Sequence, residues 1–230
     1  MSAANAMRKK VLLGCPTYEG KRAVVQRWLA AVKQLKGNFD VLLADNSKSD
    51  AFFNELKRLG IPVIKTPWFP GARDRIITAR NALRDIVLQK GYDWFLSIEQ
   101  DVLPNANDLQ QLLSHNKPIV SGLVHNNYII DGKTMRLPMV WFPAENDPEG
   151  LMQARDEQLK GNALINVRGV SLSCVLIHRN ILEKIKFRYS GNAFDDMMFC
   201  KDAQEKGFEI VVDPLVRPEH VGGDWQGMKI

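Results

Sequence analysis

The stretch SIEQDV, residues 97–102, sets Glu99 and Asp101 two positions apart directly after an apolar run. Side chains two apart on a strand point the same way, so both carboxylates face one side if strand geometry continues through residue 101. Two carboxylates at the end of a buried strand suit a hard divalent cation such as Mg²⁺ or Mn²⁺. Such a cation takes few protein ligands and completes its shell with phosphate and water oxygens. The same spacing also suits a solvated turn in which Asp101 caps the backbone that follows.

Other residues with chemical reach sit in polar stretches. Asp195 and Asp196 open a helical pattern, where the helix dipole alone favours acidic residues. Either could also act as a general base on an attacking hydroxyl. Asp45 ends an apolar run in the sequence DNS, where its carboxylate can accept from a nucleobase N–H or ribose hydroxyl, or close an Asx turn. Arg73, Arg75 and Arg80 lie near the start of a long helical pattern, and Arg73 and Arg80, seven apart, share a face. Guanidinium pairs well with phosphate oxygens, and basic helical faces are also often just solvated. His220, in VRPEHVGGDW, is a candidate metal ligand or phosphate partner, with Gly222, Gly223 and Trp225 as a flap after it. Trp68, Phe69, Trp141 and Phe142 could stack on sugar faces or fill a core.

Strands ending beside these residues would gather them. KKVLLGCP, FDVLLADNS, IPVIKTP, YDWFLSIEQD and KPIVSGLV predict five strands. Between them lie helical patterns in EGKRAVVQRWLAAVKQLKG, AFFNELKRLG (Asp50 as N-cap), ARDRIITARNALRDIVLQKG and NDLQQLLSH. Helices between strands imply crossover connections and a mostly parallel sheet, with ligands beyond the carboxyl ends of the strands. From about residue 125 to 168 the alternation fails. This Asn-, Asp-, Gly- and Pro-rich insertion predicts one strand in RLPMVWFP and a helix near GLMQARDEQLKG. VSLSCVLIHRNIL, FDDMMFCKDAQEKG and FEIVVDP then predict strand, helix and strand.

DWFLSIEQDVLPNANDLQQLL resembles the metal-binding segment of GT-A fold glycosyltransferases, especially glycosyltransferase family 2, with Glu99 where that family has its first Asp. LLGCPTYEG, VLLADNSKSD, ITARNAL and AFDDMMFCKDAQEKGFEIVVDP resemble further segments in the same order, over roughly residues 9–225. The resemblance implies a three-layer α/β/α fold with a mostly parallel sheet. It implies one catalytic domain over 1–230, with a nucleotide-sugar half (9–124) and an acceptor half (125–225). It implies that Pro16, Thr17, Tyr18, Glu19, Asp45, Arg80 and Gln100 bind a UDP- or GDP-type sugar. Asp101, Glu99 and His220 would hold Mn²⁺ or Mg²⁺. Asp196 would be the base of an inverting hexosyl transfer, with Asp195 positioning the acceptor, a glycan, lipid-linked or protein hydroxyl.

Composition fits this reading. The 230 residues are 45% hydrophobic and 25% charged, which suits a globular α/β domain. The apolar runs are too short for a membrane span, and VLLGC is too short for a signal sequence. The three cysteines, widely spaced in apolar runs, predict no disulfide framework or zinc site, and point to a reducing, cytoplasmic compartment. The net charge of +5 suits an anionic ligand or contact at a membrane surface. No nucleic-acid motif is present, and the first loop lacks G-x-G-x-x-G. Two rival readings are a sugar-nucleotide nucleotidyltransferase, whose glycine-rich basic loop CPTYEG lacks, and a non-catalytic nucleotide- or glycan-binding protein.

Overall fold

The computed structural model describes residues 10–145 and 147–221. Gly222, Gly223 and Trp225, read as a flap, lie outside the described residues. Along the chain run β1 (Val11–Thr17), α1 (Val25–Gln34), β2 (Phe39–Asp45), α2 (Ala51–Arg58), β3 (Val63–Lys65), α3 (Ala72–Gln89), β4 (Trp94–Ile98) and β5 (Val102–Leu103). Next come α4 (Asp108–Ser114), β6 (Ile119–Gly122), β7 (His125–Ile130), β8 (Lys133–Pro138), β9 (Val140–Ala144) and β10 (Asp147–Gln153). The last elements are β11 (Ile165–Asn166), β12 (Gly169–Val170), β13 (Cys174–His178), α5 (Arg179–Lys184), α6 (Asp195–Glu205), β14 (Val211–Asp213) and β15 (Glu219–His220).

An eight-stranded sheet in the order β11-β14-β6-β13-β4-β1-β2-β3 forms the middle layer. β1 pairs in parallel with both β2 and β4, β2 pairs in parallel with β3, and β6 with β14. β13 runs antiparallel between β4 and β6, and β11 is antiparallel at the edge. Both faces are covered, which is why β1 and β4 read as continuous apolar runs rather than alternating ones. One core packs α1, α2 and α4 on the sheet through Trp28, Val32, Phe52, Leu56, Leu109 and Leu112. The other packs α3, α5 and α6 through Ala79, Leu83, Val87, Ile181, Phe199 and Ala203. Ala79, Leu83 and Val87 recur every fourth residue and so form one stripe of α3. That helix stops at Gly91, whose φ of 68° is the left-handed turn that lets Tyr92 N–H reach the Val87 carbonyl at 3.1 Å.

Three expectations change. The helix predicted from Glu19 begins as a 3₁₀ turn, Glu19–Val24, and becomes α-helical only at Val25. The insertion is largely β-structure: β7 and β8 form a hairpin, and β10-β9-β12 a three-stranded sheet. The hairpin closes through Asp131 (φ 50°) and Gly132 (φ 72°), a two-residue turn that a purely compositional reading takes for loop. The helix predicted near GLMQARDEQLKG is instead the end of β10, where Leu151, Met152 and Gln153 pair with Pro143, Phe142 and Trp141. Only a 3₁₀ turn, Asp156–Leu159, follows. Cross-strand pairing overrides the helical propensity of that segment. Asp50 holds the N-cap position of α2 without a capping side-chain hydrogen bond. Among the described residues no helix is long and apolar enough to cross a membrane.

Candidate active site

The four parallel strands β1 to β4 end at one edge of the sheet, at Thr17, Asp45, Lys65 and Ile98. A cleft partly open to solvent lies at that edge. Pro16, Thr17, Tyr18, Arg80, Glu99, Gln100 and Asp101 line it. It is also lined by Arg75, singled out above beside Arg73 and Arg80, by Asn46 of the loop after β2, and by Lys21, Ala72 and Ile76, which the sequence reading did not assign. The missed helical residues had a visible signal. Ala72 and Ile76 recur every four residues with Arg80 on α3.

Glu99 and Asp101 do not behave as a strand pair. β4 stops at Ile98, and Val102 N–H reaches the Glu99 carbonyl at 2.9 Å, so Gln100 and Asp101 form a turn. The turn breaks the two-residue alternation and sends the carboxylates to different partners. Glu99 Oε1 accepts from Arg80 Nη2 at 2.6 Å. Asp101 Oδ2 pairs with the Lys21 ammonium and lies 3.5 Å from His220 Nε2. Glu99, Asp101 and His220 therefore do not converge as the expected three-ligand set. Among the described residues, no group of three His, Cys, Asp or Glu side chains is placed to hold a metal ion.

Asp101 and His220 remain a coherent pair. β15 pairs antiparallel with β5, placing His220 opposite Val102 and beside the turn. His220 Nδ1 is 3.0 Å from the His125 carbonyl oxygen, to which it donates. Nε2 is buried without a well-formed hydrogen bond. A histidine held through Nδ1 in this way presents Nε2 to the site, the arrangement of a metal-bound histidine. Burial would raise the Asp101 pKa, but His220 and Lys21 outweigh it and bring it down to about 2. Burial would lower that of His220, and Asp101 reverses this so that the net shift is upward. One ionised carboxylate and one imidazole fit a cation that takes its other ligands from phosphate and water.

Arg80, expected to bind the sugar nucleotide, lines the cleft and is the buried centre of an ion network. Besides Glu99 it contacts Asp195, Nε to Oδ2 at 2.6 Å, and donates to Ser97 Oγ at 2.9 Å. Burial alone would lower its pKa, yet the Asp195 and Glu99 carboxylates raise it. Asp195, expected to position an acceptor, is thus held by Arg80. Its neighbour Asp196 is half-buried, and its Oδ1 accepts from Met197 N–H at 2.7 Å. Burial, then the Asp195 charge, push the Asp196 pKa up to about 7. Burial also raises Glu99, with Asp101 and Asp195 adding to it against the pull of Arg80.

Asp45, expected to read a nucleobase, is fully buried with both oxygens engaged. Oδ1 accepts from Ser47 N–H and Oγ, and Oδ2 from Lys65 Nζ at 2.8 Å. Lys65 also donates to the Ser47 and Ser49 carbonyls. Asp45 therefore shapes the loop 46–49, from which Asn46 reaches the cleft. Thr17 and Gln100 hydrogen bond to each other and tie the first loop to the turn. Glu19 fixes the same loop through its backbone N–H, which donates to Ser47 Oγ at 2.8 Å, while its side chain is exposed.

No protein-family model matches the sequence, and no curated protein matches it. Solved structures do match the fold. TarS of S. aureus, residues 1–349 in complex with UDP-GlcNAc, is 14% identical with a TM-score of 0.57. That match covers 96% of this chain and 62% of TarS 1–349. The mannosyltransferase PcManGT from Pyrobaculum calidifontis, in complex with GDP-Man and Mn²⁺, is 15% identical with a TM-score of 0.61. Here the match covers 96% of this chain and 59% of the other. The chain spans about six tenths of the length of these structures. At such identities the likeness is one of fold: the chain has a GT-A-like glycosyltransferase fold.

Proposed function

We propose that this chain transfers a sugar from a nucleoside diphosphate sugar, of UDP or GDP type, to an acceptor hydroxyl. The observation that carries the reading is the joint placement of three features at one strand edge. They are the Asp101–His220 pair, the cleft over the loops after β1 and β2, and the Arg80-centred network leading to Asp196. Two solved structures of similar fold, TarS 1–349 in complex with UDP-GlcNAc and the mannosyltransferase PcManGT in complex with GDP-Man and Mn²⁺, support it.

In this reading Thr17, Tyr18 and Asn46 surround the base and ribose. Lys21 faces the diphosphate as a cation. Asp101 and His220 hold Mn²⁺ or Mg²⁺, which when bound neutralises charge on the departing diphosphate. Arg80 holds Glu99 and Asp195 in place. Asp196 takes the proton of the acceptor hydroxyl as its oxygen bonds to the anomeric carbon and the bond to the diphosphate breaks. Displacement from the opposite face inverts the configuration.

Calorimetric titration with UDP, GDP, CDP and dTDP, each with and without Mn²⁺, tests the reading. Tight binding of one nucleotide that weakens on removing Mn²⁺ is expected. No binding of any, with or without metal, would remove the proposal.

A further inference from the structure

We propose that the mouth of the cleft carries a second binding surface, for an acidic saccharide, meaning sugar rings that bear phosphate or carboxylate groups. It rests on the transferase reading, in which it seats the acceptor.

Two loops and one helix end build it. The loop between β3 and α3 presents Trp68 and Phe69, 39% and 38% exposed. The loop before α6 presents Tyr189 and Phe194, each 37% exposed. Large aromatic side chains left this open at a cleft mouth form an exposed apolar patch, and their faces suit the C–H faces of sugar rings. Arg73 and Arg75, on the first turn of α3, connect the two loops. The Arg73 guanidinium lies over the Phe194 ring at 4.5 Å and donates to the Gly191 and Asn192 carbonyls. The Arg75 guanidinium lies 5.9 Å from the Trp68 ring centroid and donates to the Phe69 and Pro70 carbonyls. Lys48 Nζ approaches the Trp68 ring at 5.1 Å.

The surface carries an excess of positive charge, Arg73, Arg75 and Lys48 against Asp74. Among the described residues, Arg73, Arg75 and Lys48 make no ion pair with a carboxylate. The acid nearest in sequence, Asp74, accepts instead from the Tyr189 hydroxyl at 2.9 Å. Carbonyl partners hold the guanidinium planes in position without cancelling their charge. Each guanidinium has five N–H donors, so several remain for a phosphate or carboxylate oxygen. The surface is also continuous with the chemistry. Arg75 lines the cleft, and Phe194 immediately precedes Asp195 and Asp196. A saccharide lying across Phe194 and Arg73 therefore lies along the segment that leads into Asp196. Aromatic and arginine side chains also suit single-stranded RNA. The transferase reading, in which this surface seats the acceptor, favours a saccharide, and the test includes an oligonucleotide.

The test compares acidic and neutral probes on the full chain by calorimetry. One pair is trigalacturonic acid and its methyl ester; the other is a mannotriose with and without a terminal 6-phosphate. The acidic member of at least one pair is expected to bind tenfold or more tighter, and the gap should narrow as NaCl is raised. The better pair decides between carboxylate and phosphate. In R73M/R75M the gap should fall below threefold, and R73K/R75K should keep part of it. Equal binding of acidic and neutral probes by the wild type would overturn the proposal, and that comparison needs no variant to fold. So would an undiminished gap in a folded R73M/R75M, or tighter binding of a uridine octanucleotide. Nucleotide titration of the same preparation separates the two readings. Acid-selective binding without nucleotide binding removes the transferase reading alone, whereas nucleotide binding without acid selectivity removes this one alone.

Discussion

Arg80 Nε lies 2.6 Å from Asp195 Oδ2, joining the middle of α3 to the first turn of α6 beneath the cleft floor. The contact puts a guanidinium that is only 3% exposed against a carboxylate that is 8% exposed. Removing one partner of such a pair leaves an uncompensated buried charge, which costs roughly 3–5 kcal/mol. Arg80→Met strands Asp195 and also takes away the Glu99 partner. Its unfolding free energy from urea titration is expected to fall by an amount in that range, and transfer should fall with it. Arg80→Lys offers one donor centre where the fork serves two carboxylates and Ser97, so it should recover only part of the loss.

Asp196 predicts a pH profile. Burial and the Asp195 charge push its pKa up to about 7, so a base at this position is mostly protonated, and idle, below neutrality. kcat/KM is expected to rise with pH through about 7 and to level above it. Asp196→Asn should lower transfer at least about a hundredfold, the usual share of a general base. Stability runs the other way. The folded state holds this proton up to about pH 7, whereas the unfolded carboxyl releases it near 3.9. The folded state thus binds more protons between those values, and the contribution of Asp196 to stability falls as pH rises through that window. Asp196→Asn should therefore be more stable than wild type at pH 8, with the gain shrinking towards pH 4, measured by urea titration at each pH.

Those two carboxylates also mark how far the sequence could be read. The strand–helix alternation and the collection of Thr17, Tyr18, Glu99, Gln100 and Asp101 at one sheet edge were legible, because buried parallel strands are apolar throughout and end in polar turns. The antiparallel entry of β13 was not, since an apolar run carries no direction. Nor were the partners of Arg80 and Asp45. Their engagement depends on which side chains the fold brings within about 3 Å, as Asp195 lies 115 positions from Arg80. The insertion misled for a different reason. Gly, Asn and Asp serve tight hairpin turns as readily as loops, and only the pairing of Tyr128 with Met135 and of Leu151 with Pro143 separates the two.

The centre of the sheet allows little change. A Cβ on Gly14 would stand 2.3 Å from Phe95 Cε2 and 3.2 Å from Leu83 Cδ1. Both side chains are fully buried, so neither has room to yield. Gly14→Ala is expected to destabilise the fold by about 1–3 kcal/mol, the usual cost of overpacking. The shift in urea midpoint measures it. Gly60→Ala meets no crowding and supplies the contrast, because its expected smaller loss comes from its φ of 73° alone.

Lys21 makes the sharpest claim about the cation. Its ammonium sits on Asp101 Oδ2, the oxygen that also faces His220 Nε2. A metal ion binding to Asp101 must share that carboxylate with Lys21 or displace it. Lys21→Met removes this competitor and leaves the Asp101–His220 pair in place. Mn²⁺ titrated without nucleotide is therefore expected to bind the variant on the order of tenfold tighter, equivalent to about 1.4 kcal/mol. The diphosphate should respond in the opposite sense, since a lysine that leaves Asp101 is free to turn towards the cleft it already lines. UDP or GDP measured in EDTA should bind the variant more weakly than the wild type. If Mn²⁺ affinity is unchanged while nucleotide affinity falls, Lys21 serves the phosphates alone and the cation does not use Asp101. If both are unchanged, the Lys21–Asp101 contact belongs to the fold and the metal centre must be sought elsewhere.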